Sequence, residues 1–476
     1  MREDEQLMML KSALALDTAV HSMEGIFAWI EARRQATRYE VKPIPFSELK
    51  GWCFDPQTGN LQHESGRFFS IEGVRVRTNW GFVAEWDQPI ICQPEVGFLG
   101  ILCKKINSVL HFLLQTKIEP GNIGGIQLAP TLQATKSNYT QVHKGARPRY
   151  LEYFISPDDS RVHLDVLQSE QGSKYLRKRN RNIILEVDGD IPVEEDFCWM
   201  TLGQIGLLLK QDNLINMDTR TVISCISYGS YDRRSLELAK SVLFHDAAQA
   251  NDQRHMLLSA LDGERHLHTL AELISWITHM KCRYELEINR IPLNEVRCWQ
   301  RDDTHIRHET GKYFSVMAVE ATIESREVSS WCQPLVQSAQ IGIIAFLIKE
   351  IKGVYHFLVQ AKLEPGNMDI IELAPTVQCV NDNYRSSIPE QKPAYLDYVL
   401  QVKPEQIWYD THQSEEGGRF YHEQNRSLII EVEDDFRLDV PPTYAWMTLN
   451  QIKMFIHFNN YFNMEARSLV SAIGLW

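Results

Sequence analysis

One stretch of the sequence sets several chemically capable side chains in a line. Residues 110–119 alternate, so an extended strand places Leu110, Phe112, Leu114, Thr116 and Ile118 on one face and His111, Leu113, Gln115, Lys117 and Glu119 on the other. A second stretch repeats the pattern with His356, Gln360, Lys362 and Glu364. A carboxylate beside an ammonium suits chemistry next to a ketone. The carboxylate can remove a proton α to the carbonyl, and the ammonium can stabilise the enolate oxygen or protonate a departing hydroxyl. Such a step needs neither a metal nor a redox cofactor, and none is expected. The alternative is a half-exposed antiparallel strand whose polar face meets water. Recurrence of the Lys-x-Glu pair weakens that alternative, because solvated faces drift freely between duplicated halves. The pair then serves as a structural ion pair or as a ligand site. After each pair Pro-Gly-Asn turns the chain, which places Asn122 and Asn367 among the candidate substrate contacts.

The elements that position these residues come in two copies. Trp86-Asp87-Gln88-Pro89 recurs as Trp331-Cys332-Gln333-Pro334, Lys117–Asn122 as Lys362–Asn367, and Gln168-Ser169-Glu170 as Gln413-Ser414-Glu415. Leu128-Ala129-Pro130 recurs as Leu373-Ala374-Pro375, and Asn180-Arg181 as Asn425-Arg426. All are offset by 245 residues (331 − 86), and Trp52/Trp299 and Trp199/Trp446 by 247 (299 − 52). A constant register of this kind means duplication. Each copy opens with a helix, the first marked by Met23, Ile26, Phe27 and Ile30, the second by Leu273 and Trp276. Alternating strands follow. Each copy closes with a helix behind a capping-box signal, Thr201-x-x-Gln204 or Thr448-x-x-Gln451. The fold class is α+β, with modules at 15–227 and 266–474. A polar linker at 228–265 carries Asp232-Arg233-Arg234, Asn251-Asp252-Gln253 and a short helix near Leu236–Leu243.

Bulk properties exclude several classes. The chain has 476 residues, 44% hydrophobic and 23% charged, with 49 Lys and Arg against 62 Asp and Glu and a net charge of −13. An acidic chain whose longest basic run is Arg177-Lys178-Arg179 is a poor polyanion binder, so neither nucleic acid nor a membrane surface is an expected partner. No apolar run is long enough to span a bilayer. Nine cysteines without C-x-x-C spacing fit a reducing cytoplasm and signal no zinc clamp. His63-Glu64 and His308-Glu309 lack the second histidine of H-E-x-x-H. No P-loop, nucleophile elbow or Rossmann glycine signature appears. Other polar positions carry two readings. Trp86, Gln88, Trp331 and Gln333 could stack on and hydrogen-bond a base or sugar, although a strand Trp is more often core. The Gln168-Ser169 and Gln413-Ser414 segments could edge a pocket or merely turn. Arg181 and Arg426, each after an asparagine (Asn180, Asn425), could grip a phosphate bidentately or form a surface salt bridge.

The long motifs together resemble one family. Trp86–Ile91, Gln115–Asn122, Leu128–Thr131, Gln168–Gly172, Arg177–Asn182 and their second-half counterparts through Ser414–Phe420 are similar to those of the NDP-hexose 2,3-dehydratases, and the likeness covers almost the whole chain. It implies a homodimer of tandem Nudix-like modules, each a mixed sheet with flanking helices, that have lost the hydrolase box. It also implies two nucleotide-sugar pockets per subunit, one of them catalytic. The expected substrate is a dTDP-linked 4-keto-6-deoxyhexose, which loses its C2 hydroxyl to give a 3,4-diketo-2,6-dideoxy sugar. Glu119 or Glu364 is then the candidate base, with Lys117 or Lys362 assisting. The Trp86 and Arg177 motifs favour the first half. Two positions depart from the family pattern: Gly81-Phe82 stands where the second half has Arg326-Glu327, and Lys174 replaces an expected aromatic residue. An altered first pocket leaves a non-catalytic nucleotide-sugar binder as the competing reading. A pyrophosphohydrolase is disfavoured by the missing metal box.

Overall fold

The computed structural model describes residues 3–16, 20–140, 146–232, 234–236, 251–384 and 391–474. Most of the helix expected near Leu236–Leu243 lies outside them. Each half contributes a mixed seven-stranded sheet. In the first, Gly97–Ile106 pairs antiparallel with Val109–Lys117 and parallel with Arg179–Glu186. In the second, Gly342–Ile351 pairs in the same way with Val354–Lys362 and Gln424–Glu431. The capping boxes at Thr201 and Thr448 open helices Leu202–Leu208 and Leu449–Ile456, as their spacing requires. Helix Met23–Ala36 buries Ile26 and Ile30 but leaves Phe27 exposed.

Two five-stranded sheets are built jointly by the halves. First-half strand Tyr39–Ile44 runs antiparallel to second-half strand Phe314–Ile323, in register Tyr39↔Ile323 to Ile44↔Ala318. Its repeat counterpart Leu286–Ile291 pairs with first-half strand Ser70–Thr78, Leu286↔Thr78 to Ile291↔Gly73. Each half thus lends a strand to the other. One hydrophobic cluster runs through both halves, joining Phe112, Leu128 and Met200 to Phe346, Phe357 and Met447.

Two further contacts tie the halves. Helices Met217–Ser224 and Met464–Ser471 pack together through fully buried arginines. Arg220 Nε donates to Ser468 Oγ at 2.7 Å and Arg467 Nε to Thr221 Oγ1 at 3.0 Å. The Pro-Gly-Asn turns also cross the opposite half's loops: Gly121 N donates to Gly417 O at 2.7 Å and Gly366 N to Gly172 O at 2.6 Å. A Cβ at Gly121 would collide with the carbonyl of Phe420, and one at Gly366 with that of Tyr175. Glycine recurs there because two backbones touch.

The segment at 228–265 contains more than a linker. Asn251–Leu261 is a helix with Leu257, Leu258 and Leu261 buried. Its Ser259 hydroxyl donates to Tyr355 O at 2.5 Å and accepts from Leu449 N at 2.9 Å. Ser12, in helix Glu3–Leu14, does the same with Leu110 O and Leu202 N. The two serines are 247 apart (259 − 12), so the repeat includes helices beyond the bounds 15–227 and 266–474.

Candidate functional site

Strand Val109–Lys117 is buried on both faces, so the reading of a water-facing polar side is overturned. Leu113 and its neighbours lie under Tyr150, Leu151 and Phe154. The polar residues of that face divide along its length. His111 is buried about 20 Å from Lys117 at ~3.3 Å per residue, its Nδ1 3.0 Å from Val109 O. His356 Nε2 accepts from Leu267 N at 3.0 Å, and burial takes its imidazole down to about 4. Neither histidine reaches the Lys-Glu pairs. Gln115 donates to Pro130 O at 2.8 Å, stitching the sheet, while Gln360 lies in register with Ala374 and Tyr444.

Of the polar positions on this strand face and the residues just after it, only the last two, Lys117 and Glu119, reach a cavity. Lys117 Nζ stands 3.5 Å from Glu119 Oε1, in a cleft that both halves line. Arg326, from the hairpin after Phe314–Ile323, brings Nη1 to 3.5 Å from the same oxygen. Gln133 Nε2 donates to both carboxylate oxygens at 3.2 and 3.3 Å. Burial by itself would raise the Glu119 carboxyl. Lys117, Arg326, Gln133 and Arg419 outweigh it and hold the group below its ordinary range, as a carboxylate. Trp331 edges the cleft, its indole donating to Gln333 Oε1 at 2.7 Å, and Gln333 in turn donates to Gly418 O at 2.7 Å.

Beyond the acidic centre the cleft becomes cationic and then aromatic. Arg419 stacks over Phe69, 4.1 Å from the ring centroid, and its Nε donates to Gln93 Oε1 at 3.3 Å. Trp52 packs on Phe69 and His63 at the same wall. Lys178 Nζ donates to Asn180 Oδ1 at 2.8 Å, and Asn180 Nδ2 donates to Glu170 Oε1 at 2.6 Å. Burial pushes Glu170 up to about 7 and takes Lys178 down to about 8. Burial also raises Asp218, and the charges of Glu416, Glu170 and Glu119 add to the effect. Among the described residues no group of three or more His, Cys, Asp or Glu is placed to hold a metal ion.

The pairing of features differs from the one expected. Trp86 and Gln88 do not join Glu119. Gln88 donates to Ser173 O at 2.9 Å, and a Cβ on neighbouring Gly172 would lie 3.1 Å from Glu364 Cβ, so they belong with Glu364. Strand exchange is the reason: each Trp-x-Gln-Pro hairpin meets the other half's Lys-Glu. The altered Gly81-Phe82 hairpin accordingly falls with Glu364, and intact Arg326-Glu327 with Glu119. Around Glu364, Lys362 stands 3.0 Å from the carboxylate, and Lys174 forms an internal ion pair with Glu423.

Other candidates take structural roles. Gln168 Nε2 donates to Ile456 O at 2.6 Å, Ser169 Oγ to Glu372 Oε2 at 2.7 Å, and Gln413 Nε2 to Leu209 O at 2.9 Å. Ser414 Oγ accepts from Gln127 at 2.9 Å, so all four residues seal the junction between halves. Arg181 and Arg426 make bidentate pairs with Asp165 and Asp410 on adjacent strands, not phosphate sites. Asn122 braces its own turn by donating to Gly125 O at 2.9 Å; Asn367 is buried at the equivalent turn; Asn425 donates to Glu415. Residue types and spacing mark no role for Gln133, Lys178, Asp218, Glu416 and Arg419. Their signal was divergence: Lys178, Glu416 and Arg419 correspond to Glu423, Gln171 and Lys174 in the other half.

A family model for NDP-hexose 2,3-dehydratase matches residues 23–226 and again 270–473. A dTDP-4-dehydro-6-deoxy-alpha-D-glucopyranose 2,3-dehydratase of Saccharopolyspora spinosa is 46% identical over 97% of this chain and 94% of its own length. Proteins of the same description from Amycolatopsis orientalis and Streptomyces violaceoruber are 44% and 45% identical. They cover 97% and 94% of this chain, and 92% and 96% of their own lengths.

Proposed function

The chain belongs to the NDP-hexose 2,3-dehydratase family, and from that premise we propose that it dehydrates a dTDP-linked 4-keto-6-deoxyhexose in the cleft of Lys117 and Glu119. It is a nucleotide-sugar 2,3-dehydratase of deoxysugar biosynthesis. The observation that carries the choice of cleft is a buried carboxylate kept ionised by two cations, one from each half.

The C4 ketone acidifies the hydrogen on C3. Glu119 takes that proton, and Lys117, with Arg326 beside it, stabilises the negative charge developing on the C4 oxygen. Expulsion of the C2 hydroxyl re-forms the C4 carbonyl and leaves a C2–C3 enol, which tautomerises to the 3-ketone. The order of groups in the cleft suits the rest of the ligand: Arg419 and Lys178 for the diphosphate, the Trp52–Phe69 wall for the base.

The finer readings are a homodimer, as the family resemblance implies, and residence in the cytoplasm, which nine unpaired cysteines favour. Among the described residues no helix is long and apolar enough to cross a membrane. Light scattering of the purified protein tests the dimer. Incubation with dTDP-4-keto-6-deoxyglucose followed by mass spectrometry tests the reaction, the expected change being loss of one water. Tight binding with unchanged mass would instead mean a nucleotide-sugar binder without turnover.

A further inference from the structure

Elimination of hydroxide needs a proton as well as a base, and of the cleft's other carboxyl groups, Glu170, Asp218, Glu327 and Glu416, it is Glu416 that meets Glu119 at Gly418. Glu416 lies on the loop 415–419 that crosses the Pro120–Asn122 turn, and its side chain lines the same cleft as Glu119. Both carboxylates converge on Gly418: a Cβ there would lie against Glu416 Oε1 and 3.4 Å from Glu119 Oε1. The Tyr175 hydroxyl donates to Glu416 Oε2 at 3.1 Å and fixes the side chain from the opposite half. Lys117 and Arg326 gather at Glu119, so the two acids meet different surroundings.

We infer that Glu416 is the general acid that protonates the departing C2 hydroxyl, an assignment that rests on the dehydratase reading above. Burial raises the Glu416 carboxyl and the charge on Glu119 raises it further. Arg419, the Tyr175 hydrogen bond and Lys117 offset this only in part, so Glu416 is disposed to hold a proton while Glu119 is ionised. The proton inventory then closes. Glu119 takes the C3 hydrogen, the C2–O bond breaks, and Glu416 supplies the proton that makes the leaving group water. Tautomerisation of the C2–C3 enol moves a proton from the C3 hydroxyl to Glu416 and one from Glu119 to C2. Both groups return to their starting states.

The equivalent residues around Glu364 support the assignment by what they lack. The position of Glu416 is occupied there by Gln171, which donates to Glu415 and Met217 Sδ and has no acid to offer. The position of Tyr175 is Phe420, without a hydroxyl. Acid and hydrogen-bond partner are lost together, alongside the Arg326-Glu327 pair, while Lys362 and Glu364 persist. On this reading the second Lys-Glu pair lacks the Glu416 carboxyl and the hydroxyl that holds it, and the carboxyl that burial raises beside Glu364 is Glu465 instead.

The test uses a leaving group that needs no proton. Wild-type loss of water from dTDP-4-keto-6-deoxyglucose is measured first and carries the underlying reading; its absence would end that reading, whatever Glu416 does. With turnover in hand, Glu416→Gln is compared with Glu119→Gln on this substrate and on its 2-deoxy-2-fluoro analogue, with dTDP binding and circular dichroism as checks on the fold. E416Q is expected to lose turnover of the hydroxyl substrate by ~10²–10⁴-fold yet release fluoride within a few-fold of wild type, while E119Q loses both. Equal loss on both substrates would make Glu416 a positioning or structural group and overturn the assignment. Undiminished turnover of the hydroxyl substrate by E416Q would overturn it as well.

Discussion

Glu119→Gln keeps the length of the side chain and its hydrogen bonds but leaves a group unable to take a proton near neutral pH. The base it removes is worth ~10²–10⁴ in rate, about 3–5 kcal/mol at about 1.4 kcal/mol per decade. The charge environment sets a second consequence. Lys117 and Arg326 each stand 3.5 Å from the carboxylate. At an effective dielectric of ~20, a unit charge at that distance contributes about 5 kcal/mol of attraction, so the amide leaves two cations short of an anion. Glu416, relieved of the neighbouring charge, ionises more readily and takes up part of that neutralisation, so the fold is expected to persist with a lowered melting temperature. Glu364→Gln is the matched control, because its surroundings lack the counterparts of Arg326, Glu416 and the Tyr175 hydroxyl. The assay is steady-state loss of water from dTDP-4-keto-6-deoxyglucose by mass spectrometry, with dTDP binding measured in both variants. Turnover should fall by the stated factor in E119Q and stay near wild type in E364Q, with binding retained in both. Equal losses in the two variants, or wild-type turnover in E119Q, would refute the assignment of catalysis to this cleft.

Arg326→Ala removes a cation that holds Glu119 below its ordinary range. The carboxyl therefore titrates at higher pH, and the acid limb of the kcat profile should move toward neutrality; an unmoved limb would separate Arg326 from the base. Gly121→Ala forces a Cβ onto the Phe420 carbonyl and should cost at least about 1–3 kcal/mol in denaturant unfolding, whereas unchanged stability would contradict the crossed turns. A chain of residues 266–474 alone lacks Tyr39–Ile44, leaving an open edge beside Phe314–Ile323, and should show no cooperative thermal transition by circular dichroism. A sharp transition would show that the borrowed strand is dispensable. Treatment with a chelator should leave turnover unchanged; complete loss restored by one particular divalent ion would overturn the metal-free scheme.

Much of the architecture is legible in the chain because it depends on neighbours in sequence. The capping boxes at Thr201 and Thr448 bond residues three apart, so their spacing alone marks the helix starts. Alternation along residues 110–119 places Lys117 and Glu119 on one face, which is a property of the pleat. It does not reveal what covers that face. Leu113 is buried within a second hydrophobic cluster and His111 is buried as well, and only the last two polar positions open into the cleft. Arg181 and Arg426 could equally hold a phosphate or a partner strand. Asp165 and Asp410 settled the matter from strands whose pairing the sequence does not state.

Duplication, the α+β class, the family and the two Lys-Glu pairs are written in the chain, since each is carried by local spacing or by a repeated register. Which hairpin serves which pair is set only in the folded chain. Tyr39–Ile44 and Leu286–Ile291 each join the opposite half's sheet, and that exchange sets Trp331, Gln333 and Arg326 against Glu119 and leaves Trp86 and Gly81-Phe82 with Glu364. Strand alternation specifies a face and a register but no partner. Two copies of one hairpin offer nearly the same edge, and the choice between them falls to contacts hundreds of residues apart.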